Sequence, residues 1–151
     1  MPAGNLSPRP LGSSGMDVSA LSRLPNMHLL GRKPYAELPA YCKGFDAALI
    51  PFPINEATLN ANPLKAREYL AAGLPVVSTA IPEVEVLGMC RIGVDRENFV
   101  TQLEAALAQP GPSRLRSESV RGECWEARLR QVERELAAVM HRRANSVASA
   151  A

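Results

Sequence analysis

Lys65 and Glu68 are the residues whose types and spacing best suit chemistry, because they lie one turn apart in a predicted helix. Pro63 opens this helix after the apolar strand candidate 47–50, so we expect its N-terminus beyond the carboxyl end of a strand. The N–H groups of Leu64 and Lys65 would carry partial positive charge there and bind phosphate. A lysine in the first turn opposes the helix dipole unless an anion is bound, which favours an anion site. A solvated surface lysine is the alternative.

Glu68 is predicted on a face of small and apolar residues. Leu64, Ala71 and Ala72 stand at positions i−4, i+3 and i+4 from it. The two alanines would let the helix pack close to the sheet. A carboxylate on such a face needs a specific partner. That partner is either a ligand hydroxyl beyond the strand ends or Lys65, in a weak ion pair.

A second candidate site is the loop at Gly31, Arg32 and Lys33, which follows an apolar run. Glycine lets a ligand approach the backbone closely, and the two basic side chains could bind phosphate or a base. A solvated turn is the alternative interpretation of two adjacent basic residues.

Short strands and helices must position these residues. The pattern predicts strands at 27–30, 47–50, 75–79 and 91–94, the second one buried on both faces, and a polar loop at 55–62. It predicts helices at 34–41 (short or kinked by Pro39), 63–72, 82–87 and 96–109, with Gly73 as a left-handed cap and Asp95 as an N-cap. Such alternation indicates a parallel sheet with right-handed crossovers, and these sheets bind ligands beyond the carboxyl ends of their strands.

The two ends of the chain and its last helix complete the predicted organisation. The Pro- and Gly-rich residues 1–16 are expected to form a flexible arm, and 140–151 a flexible tail. Between them, one apolar stripe predicts a final helix that packs on the domain: Trp125, Leu129, Val132, Leu136 and Val139.

Composition points to one ordinary globular domain. The 151 residues are 46% hydrophobic and 21% charged, with a net charge of +2, too small to favour nucleic acid or an anionic membrane on charge alone. No apolar run reaches transmembrane length, and no signal-peptide pattern opens the chain. Cys42, Cys90 and Cys124 form no CxxC pair, which suits a reducing cytoplasm. Cys42 and Cys124 have no paired histidine and are expected to be inert thiols.

Several catalytic patterns are missing from the sequence. It contains no HExxH, GxSxG, GxGxxG or phosphate-loop motif, and His28 and His141 are too far apart for a zinc spacing. No tyrosine is followed four residues later by lysine, which argues against a Rossmann-type enzyme that modifies nucleotide sugars. No Asp-x-Asp pair exists to hold a metal on a nucleoside diphosphate, so no metal is expected.

The segment 62–77, which reads NPLKAREYLAAGLPVV, resembles the nucleotide-sugar site of group 1 glycosyltransferases with the GT-B fold. Segments 24–31, 35–41, 45–52 and 125–128 match that family in order and spacing, so the similarity covers about 17–139. The resemblance implies an α/β fold, a Rossmann-like parallel sheet flanked by helices. This would be the C-terminal half of a GT-B fold, incomplete at its N-terminus. On this resemblance, the sequence would lack the family's acceptor domain and the first strand and helix of its donor domain, and the sheet edge exposed in this way could support self-association.

The resemblance also implies an activity, retaining hexosyl transfer from a UDP- or GDP-sugar without a metal. The chain would be the donor-binding domain and inactive alone. Its partners would be the nucleotide sugar, the missing acceptor domain and, through that domain, a membrane-associated lipid or polysaccharide acceptor. The expected location is the cytoplasm or the inner membrane face. The alternative is a non-catalytic interaction or structural module derived from a glycosyltransferase.

The same resemblance assigns roles to individual residues. Glu68 would hold the ribose hydroxyls, and the N–H groups of Leu64 and Lys65 would bind the diphosphate, with Lys65 as the catalytic cation. Gly31 and Arg32 would lie beside the base. Two asparagines of the preceding loop complete the predicted donor site, Asn60 and Asn62. Many relatives carry a second glutamate where Asn60 stands.

Overall fold

The computed structural model describes the backbone of residues 18–148 and the side chains of 18–142. The predicted flexible arm, 1–16, lies outside the described residues, as do 149–151 of the predicted tail. The chain divides into two units, 1–38 and 39–151.

The described part of the first unit consists of turns and short helical segments. Helix α1 covers Ser19–Ser22, and a 3₁₀ turn covers Tyr35–Glu37. The predicted strand at 27–30 is wrong, because these residues form no strand and their side chains are exposed. A strand requires hydrogen bonds to a neighbouring strand, and the described residues of this unit supply none.

The second unit contains a parallel sheet of three short strands. They are β1 (Ala48–Ile50), β2 (Val76–Thr79) and β3 (Arg91–Gly93), in spatial order β1-β2-β3. Leu49 pairs with Val77, and Ser78 pairs with Ile92, both in parallel register. The predicted strands at 47–50, 75–79 and 91–94 are confirmed, and so is the α/β, Rossmann-like class.

Helices connect and flank these strands: α2 (Leu38–Cys42), α3 (Glu56–Leu59), α4 (Leu64–Ala71), α5 (Pro82–Glu85), α6 (Arg96–Leu107), α7 (Arg114–Ser119) and α8 (Trp125–Ala148). The predicted short helix at 34–41 is a 3₁₀ turn followed by α2, with Pro39 in the first turn of α2. The Asp95 carboxylate accepts a hydrogen bond from the Asn98 N–H at 2.7 Å, as predicted for the cap of α6.

Helix α3 was not predicted, since 55–62 was expected to be a loop. Its local cause is a capping box. The Thr58 N–H donates to the Asn55 side chain at 3.0 Å, and the Asn55 N–H donates to the Thr58 hydroxyl at 2.9 Å. This reciprocal pair satisfies two backbone donors and stabilises a helical turn that has no apolar periodicity.

The core lies between the sheet and helices α4 and α5. Its buried members are Cys42, Ala48, Ile50, Ala66, Leu70, Leu74, Val76, Ile81, Val84 and Val120. Helix α4 contacts β1 and β2, whereas α6 contacts β2 and β3. Alternate strand residues point to opposite faces, and Val77 is accordingly buried outside the main cluster.

Strand β1 is buried on one face only. The prediction that both faces are buried is wrong, because Leu49 is 42% exposed while Ala48 and Ile50 are buried. The physical reason is position: β1 is an edge strand of the described sheet, and α6 packs against the other two strands.

Gly73 ends helix α4 in the left-handed region, with φ of 82°, as predicted. The Gly73 and Leu74 N–H groups donate to the carbonyls of Leu70 at 2.8 Å and Tyr69 at 3.0 Å. A Cβ at this position would lie 2.7 Å from the Ser113 carbonyl oxygen. Two independent reasons therefore require glycine at position 73: its left-handed backbone conformation and the close approach of the chain before α7.

Helix α7 is fastened to the end of α4 by backbone and side-chain hydrogen bonds. The Ser113 N–H donates to the Gly73 carbonyl at 2.8 Å. The Arg116 guanidinium donates to three carbonyl oxygens, those of Gly73 at 3.2 Å, Gly111 at 3.0 Å and Gln109 at 3.0 Å. Arg116 thus links the segment just before α7 to the end of α4, 43 positions away in the sequence.

Helix α8 departs from the prediction in length and in packing. It extends to Ala148, so the predicted end at Val139 is too early. Its apolar stripe (Trp125, Leu129, Val132, Leu136 and Val139) is 41–87% exposed, so the prediction that this stripe packs on the domain is wrong for the described chain. The helix contacts the 3₁₀ turn Arg121–Glu123 that precedes it.

Candidate functional site

The carboxyl ends of the parallel strands form one edge of the sheet, where the candidate site lies. The Thr79 hydroxyl, at the end of β2, donates to the Phe52 carbonyl at 2.8 Å. The buried Ser78 hydroxyl donates to the Thr79 carbonyl at 2.9 Å. The bond from Thr79 fixes the segment after β1 to the end of β2, and this segment leads to α3 and α4.

The loop that enters α4 is ordered by its own side chains. The Thr58 hydroxyl donates to the Pro53 carbonyl at 2.6 Å. The Asn60 amide donates to the Glu56 carbonyl at 2.8 Å and so closes α3. Asn60 is exposed, and this bond gives its side-chain nitrogen a structural partner. Its predicted contact with a donor sugar stays a prediction.

The first two residues of α4 are exposed, and its N-cap residue, Pro63, makes no side-chain capping hydrogen bond. Pro63 is the extended residue before the helix, and the Ala66 N–H donates to the Pro63 carbonyl at 3.1 Å. Leu64 is 62% exposed, and Lys65 beside it is exposed as well. The backbone N–H groups of Leu64 and Lys65 therefore lie in an exposed helix start beyond the sheet edge, where an anion is favoured.

Glu68 lies one turn further along α4 and is half-buried. The predicted face was wrong, because Ala66 and Leu70 are the buried residues of α4, whereas Leu64 and Ala71 are exposed. Residues at i and i+4 share a helix face, so Ala66 and Leu70 pack on the sheet. Glu68, two positions from each of them, projects from the opposite side of α4 and is half-buried there.

Glu68 also faces α2, as its electrostatic effects show. Burial raises the pKa of the Cys42 thiol, and the Glu68 charge raises it further. The Tyr69 hydroxyl has its pKa raised by burial, then by Cys42 and Glu68. Burial also raises the pKa of Cys90 to about 11. Since the thiolate is the reactive form, Cys42 and Cys90 are poor nucleophiles, which for Cys42 agrees with the predicted inert thiol.

Arg67 is a residue of this site that the sequence did not single out. Its guanidinium donates to the Asn62 side-chain oxygen in the loop before α4 and to a Glu123 carboxylate oxygen at 3.2 Å. The Glu83 carboxylate lies 4.0 Å away. Its partners stand up to 56 positions away, so no local spacing indicates them. The structure thus gives Asn62 a side-chain partner on α4.

Gly31 and Arg32 lie in the first unit, and both are exposed. Gly31 adopts φ of 72°, a left-handed conformation that favours glycine. Their placement beside a base stays a prediction. The donor-site residues brought together on the second unit are those of one continuous segment: Asn60, Asn62, Leu64, Lys65 and Glu68.

Two searches of the described residues bear on other chemistry. Among residues 18–142, no group of three or more His, Cys, Asp or Glu side chains is placed to hold a metal ion. Within the described chain, every helix is too short or too polar to cross a membrane.

Comparison with known proteins finds a glycosyltransferase. The chain is 32% identical, over 129 aligned residues, to the protein named "Putative teichuronic acid biosynthesis glycosyltransferase TuaH" from Bacillus subtilis (strain 168). The alignment covers 77% of this chain and 32% of that protein. The chain is a relative of a glycosyltransferase. It spans about a third of the length of the curated relative that it matches.

Two further comparisons find no match. No family model matches the sequence. No solved structure matches it either. The relationship to a glycosyltransferase therefore rests on the sequence similarity to TuaH, and the Rossmann-like sheet agrees with it.

Proposed function

We propose that the chain is the nucleotide-sugar-binding, C-terminal half of a group 1 GT-B glycosyltransferase. The observation that carries the proposal is the start of α4, which is exposed beyond the carboxyl edge of the sheet and bears Lys65. The similarity to a glycosyltransferase supports the same conclusion. The donor would be a UDP- or GDP-linked hexose.

The proposed chemistry assigns one task to each group. The N–H groups of Leu64 and Lys65 and the Lys65 ammonium bind the diphosphate, and Glu68 accepts hydrogen bonds from the ribose hydroxyls. The bond between the sugar and the diphosphate breaks with both electrons going to the diphosphate oxygen. An acceptor hydroxyl forms the new bond on the same face of the sugar and gives its proton to the departing diphosphate oxygen. Lys65 and the helix terminus stabilise the departing charge.

The proposal extends to the rest of a longer enzyme. The acceptor, a membrane-associated lipid or polysaccharide, would bind to a second domain, and this chain alone would be inactive in transfer. The reaction would need no metal and would take place in the cytoplasm or at the inner membrane face.

Calorimetric titration of the folded chain with UDP, GDP, a UDP-hexose and a GDP-hexose tests the donor assignment. We expect binding to one nucleotide series. Glu68→Ala should weaken that binding by about 10- to 100-fold, since a hydrogen bond to a charged group contributes roughly 1.5–3 kcal/mol. Circular dichroism and the melting temperature should be almost unchanged, because Glu68 projects away from the face of α4 that packs Ala66 and Leu70 on the sheet.

The matched control is Glu104→Ala, which removes an exposed glutamate from α6 and should leave the affinity unchanged. A folded wild-type chain that binds none of the four ligands contradicts the proposal. If Glu68→Ala unfolds the chain instead of weakening binding, Glu68 has a structural role and its assignment to the ribose is wrong.

A further inference from the structure

Arg67 joins three separate parts of the second unit through one guanidinium group. It contacts Asn62 in the loop before α4, Glu123 in the turn before α8, and Glu83 in the first turn of α5. Its side chain is only 18% exposed, although it carries a full charge. A charge that is mostly withdrawn from water requires such partners.

The contacts form a chain that ends at the base of α8. Nη1 of Arg67 donates to the Asn62 oxygen, and Nε of Arg67 donates to Oε2 of Glu123. The same carboxylate oxygen accepts a hydrogen bond from Nη2 of Arg128 at 2.7 Å. The planar guanidinium donates in fixed directions, so it restrains position as well as charge.

The two arginines keep Glu123 ionised. Hydrogen bonds from Arg67 and Arg128 lower the pKa of its carboxyl below the usual value for glutamate. A glutamate is ionised at neutral pH in any case, and the lowered pKa keeps Glu123 an anionic partner of Arg67 at more acidic pH as well.

We propose that Arg67 is a positioning residue for the diphosphate site. Asn62 lies two positions before Leu64, so the bond from Arg67 fixes the backbone that leads into the first turn of α4. The directions of the Leu64 and Lys65 N–H groups depend on that backbone. This inference rests on the proposed function and adds that the site is held in place by the turn before α8.

If Arg67 acted on the ligand only through its charge, the effect of Glu123→Gln on nucleotide binding would be the opposite of the effect expected from positioning. Arg67→Gln removes a positive charge near the site, whereas Glu123→Gln removes a negative one. If Arg67 acted only through its field, Glu123→Gln would strengthen the binding of an anion. If Arg67 instead positions the loop before α4, each variant makes that loop more mobile, and each weakens nucleotide binding.

Calorimetric titration with UDP and GDP, together with backbone NMR relaxation of the full chain, distinguishes these cases. We expect Arg67→Gln and Glu123→Gln each to weaken nucleotide binding on the order of tenfold, because small misplacements of binding groups are costly. Arg67→Lys keeps the charge but lacks the planar fork, and should also weaken binding. Order parameters of the Asn62 and Leu64 amides should fall from about 0.85 toward 0.6 in the variants.

Arg114→Gln is the matched control, because it breaks the 2.7 Å pair with Glu118 on exposed α7 and should change neither readout. If Arg67→Gln does not fold, Glu123→Gln supplies the test, since Arg67 and its charge remain in that variant.

Three results would overturn the inference: tighter nucleotide binding by Glu123→Gln, unchanged binding by Arg67→Gln, or unchanged order parameters in both. Unchanged order parameters would exclude a positioning role for Arg67 even if the chain bound no nucleotide. A wild-type chain that binds neither UDP nor GDP overturns the proposed function, and with it the role of Arg67 in the site. Lower order parameters would in that case leave Arg67 as a purely structural tether.

Discussion

Gly73 carries two separate constraints in a single residue. Its φ of 82° lies in the left-handed region, and a Cβ would approach the Ser113 backbone to 2.7 Å. Gly111 has a similar φ of 73°, but a Cβ there would meet no described atom within 4 Å. Substitution of Gly111 would therefore cause backbone strain alone, whereas substitution of Gly73 would cause both backbone strain and steric overlap.

We predict that Gly73→Ala destabilises the chain more than Gly111→Ala does. The left-handed conformation costs a residue with a Cβ about 1–2 kcal/mol, and this cost applies to both variants. Overlap with the Ser113 backbone adds about 1–3 kcal/mol for Gly73 alone. Urea denaturation measures the free energy of unfolding, and equal losses in the two variants would show that Ser113 moves aside at no cost.

At the scale of elements, one side chain of helix α7 satisfies carbonyl groups of two neighbouring segments. Arg116 donates to the carbonyls of Gly73, Gly111 and Gln109 and so satisfies groups at the end of α4 and in the segment before α7. Arg114, two residues earlier, is 88% exposed and pairs only within the helix, with Glu118. The same residue type thus has two different roles in one short helix.

We predict that Arg116→Ala lowers the free energy of unfolding by about 2 kcal/mol, because half-buried carbonyls lose a charged donor. Arg114→Ala should lower it by less than about 0.5 kcal/mol, since an exposed pair contributes little. Thermal and urea unfolding of the two variants checks the difference. Similar values for both would mean that water replaces the Arg116 donors without loss.

At the scale of the whole molecule, apolar residues divide between a compact core and an uncovered helix. Leu70 is fully buried between α4 and the sheet, whereas Leu136 on α8 is 59% exposed. Both residues are leucines in helices, so they are matched probes of where burial stabilises the fold.

We expect Leu70→Ala to destabilise the chain by about 2–5 kcal/mol, as for other buried leucines. Leu136→Ala should change stability by at most about 0.5 kcal/mol. Denaturation of dilute samples measures both effects. A loss above about 2 kcal/mol for Leu136→Ala would show that something covers the α8 stripe in solution.

Local signals carried most of what the sequence predicted correctly. Asp95 caps α6, Gly73 ends α4 and the apolar run before Pro51 forms β1, because each depends on residues within a few positions. The start of α4 near Lys65 was placed in the same way, one residue after Pro63.

Contacts between distant residues account for the rest. The run at 27–30 has strand composition but forms no strand, and Leu49 is exposed because its neighbouring helix packs elsewhere. The partner of Arg67 is Glu123, 56 positions away. No residue spacing in a single sequence indicates such a pairing, so the contact between Arg67 and Glu123 could not be predicted.

The hydrogen bond between Ser113 and Gly73 has a consequence for the order of folding. It closes a segment of about forty residues, whereas the β2–β3 pairing of Val77 with Arg91 closes only about fourteen. In the unfolded chain the longer closure costs ~0.9 kcal/mol more in entropy. We therefore expect the sheet and α4 to assemble first and α7 to dock on them afterwards.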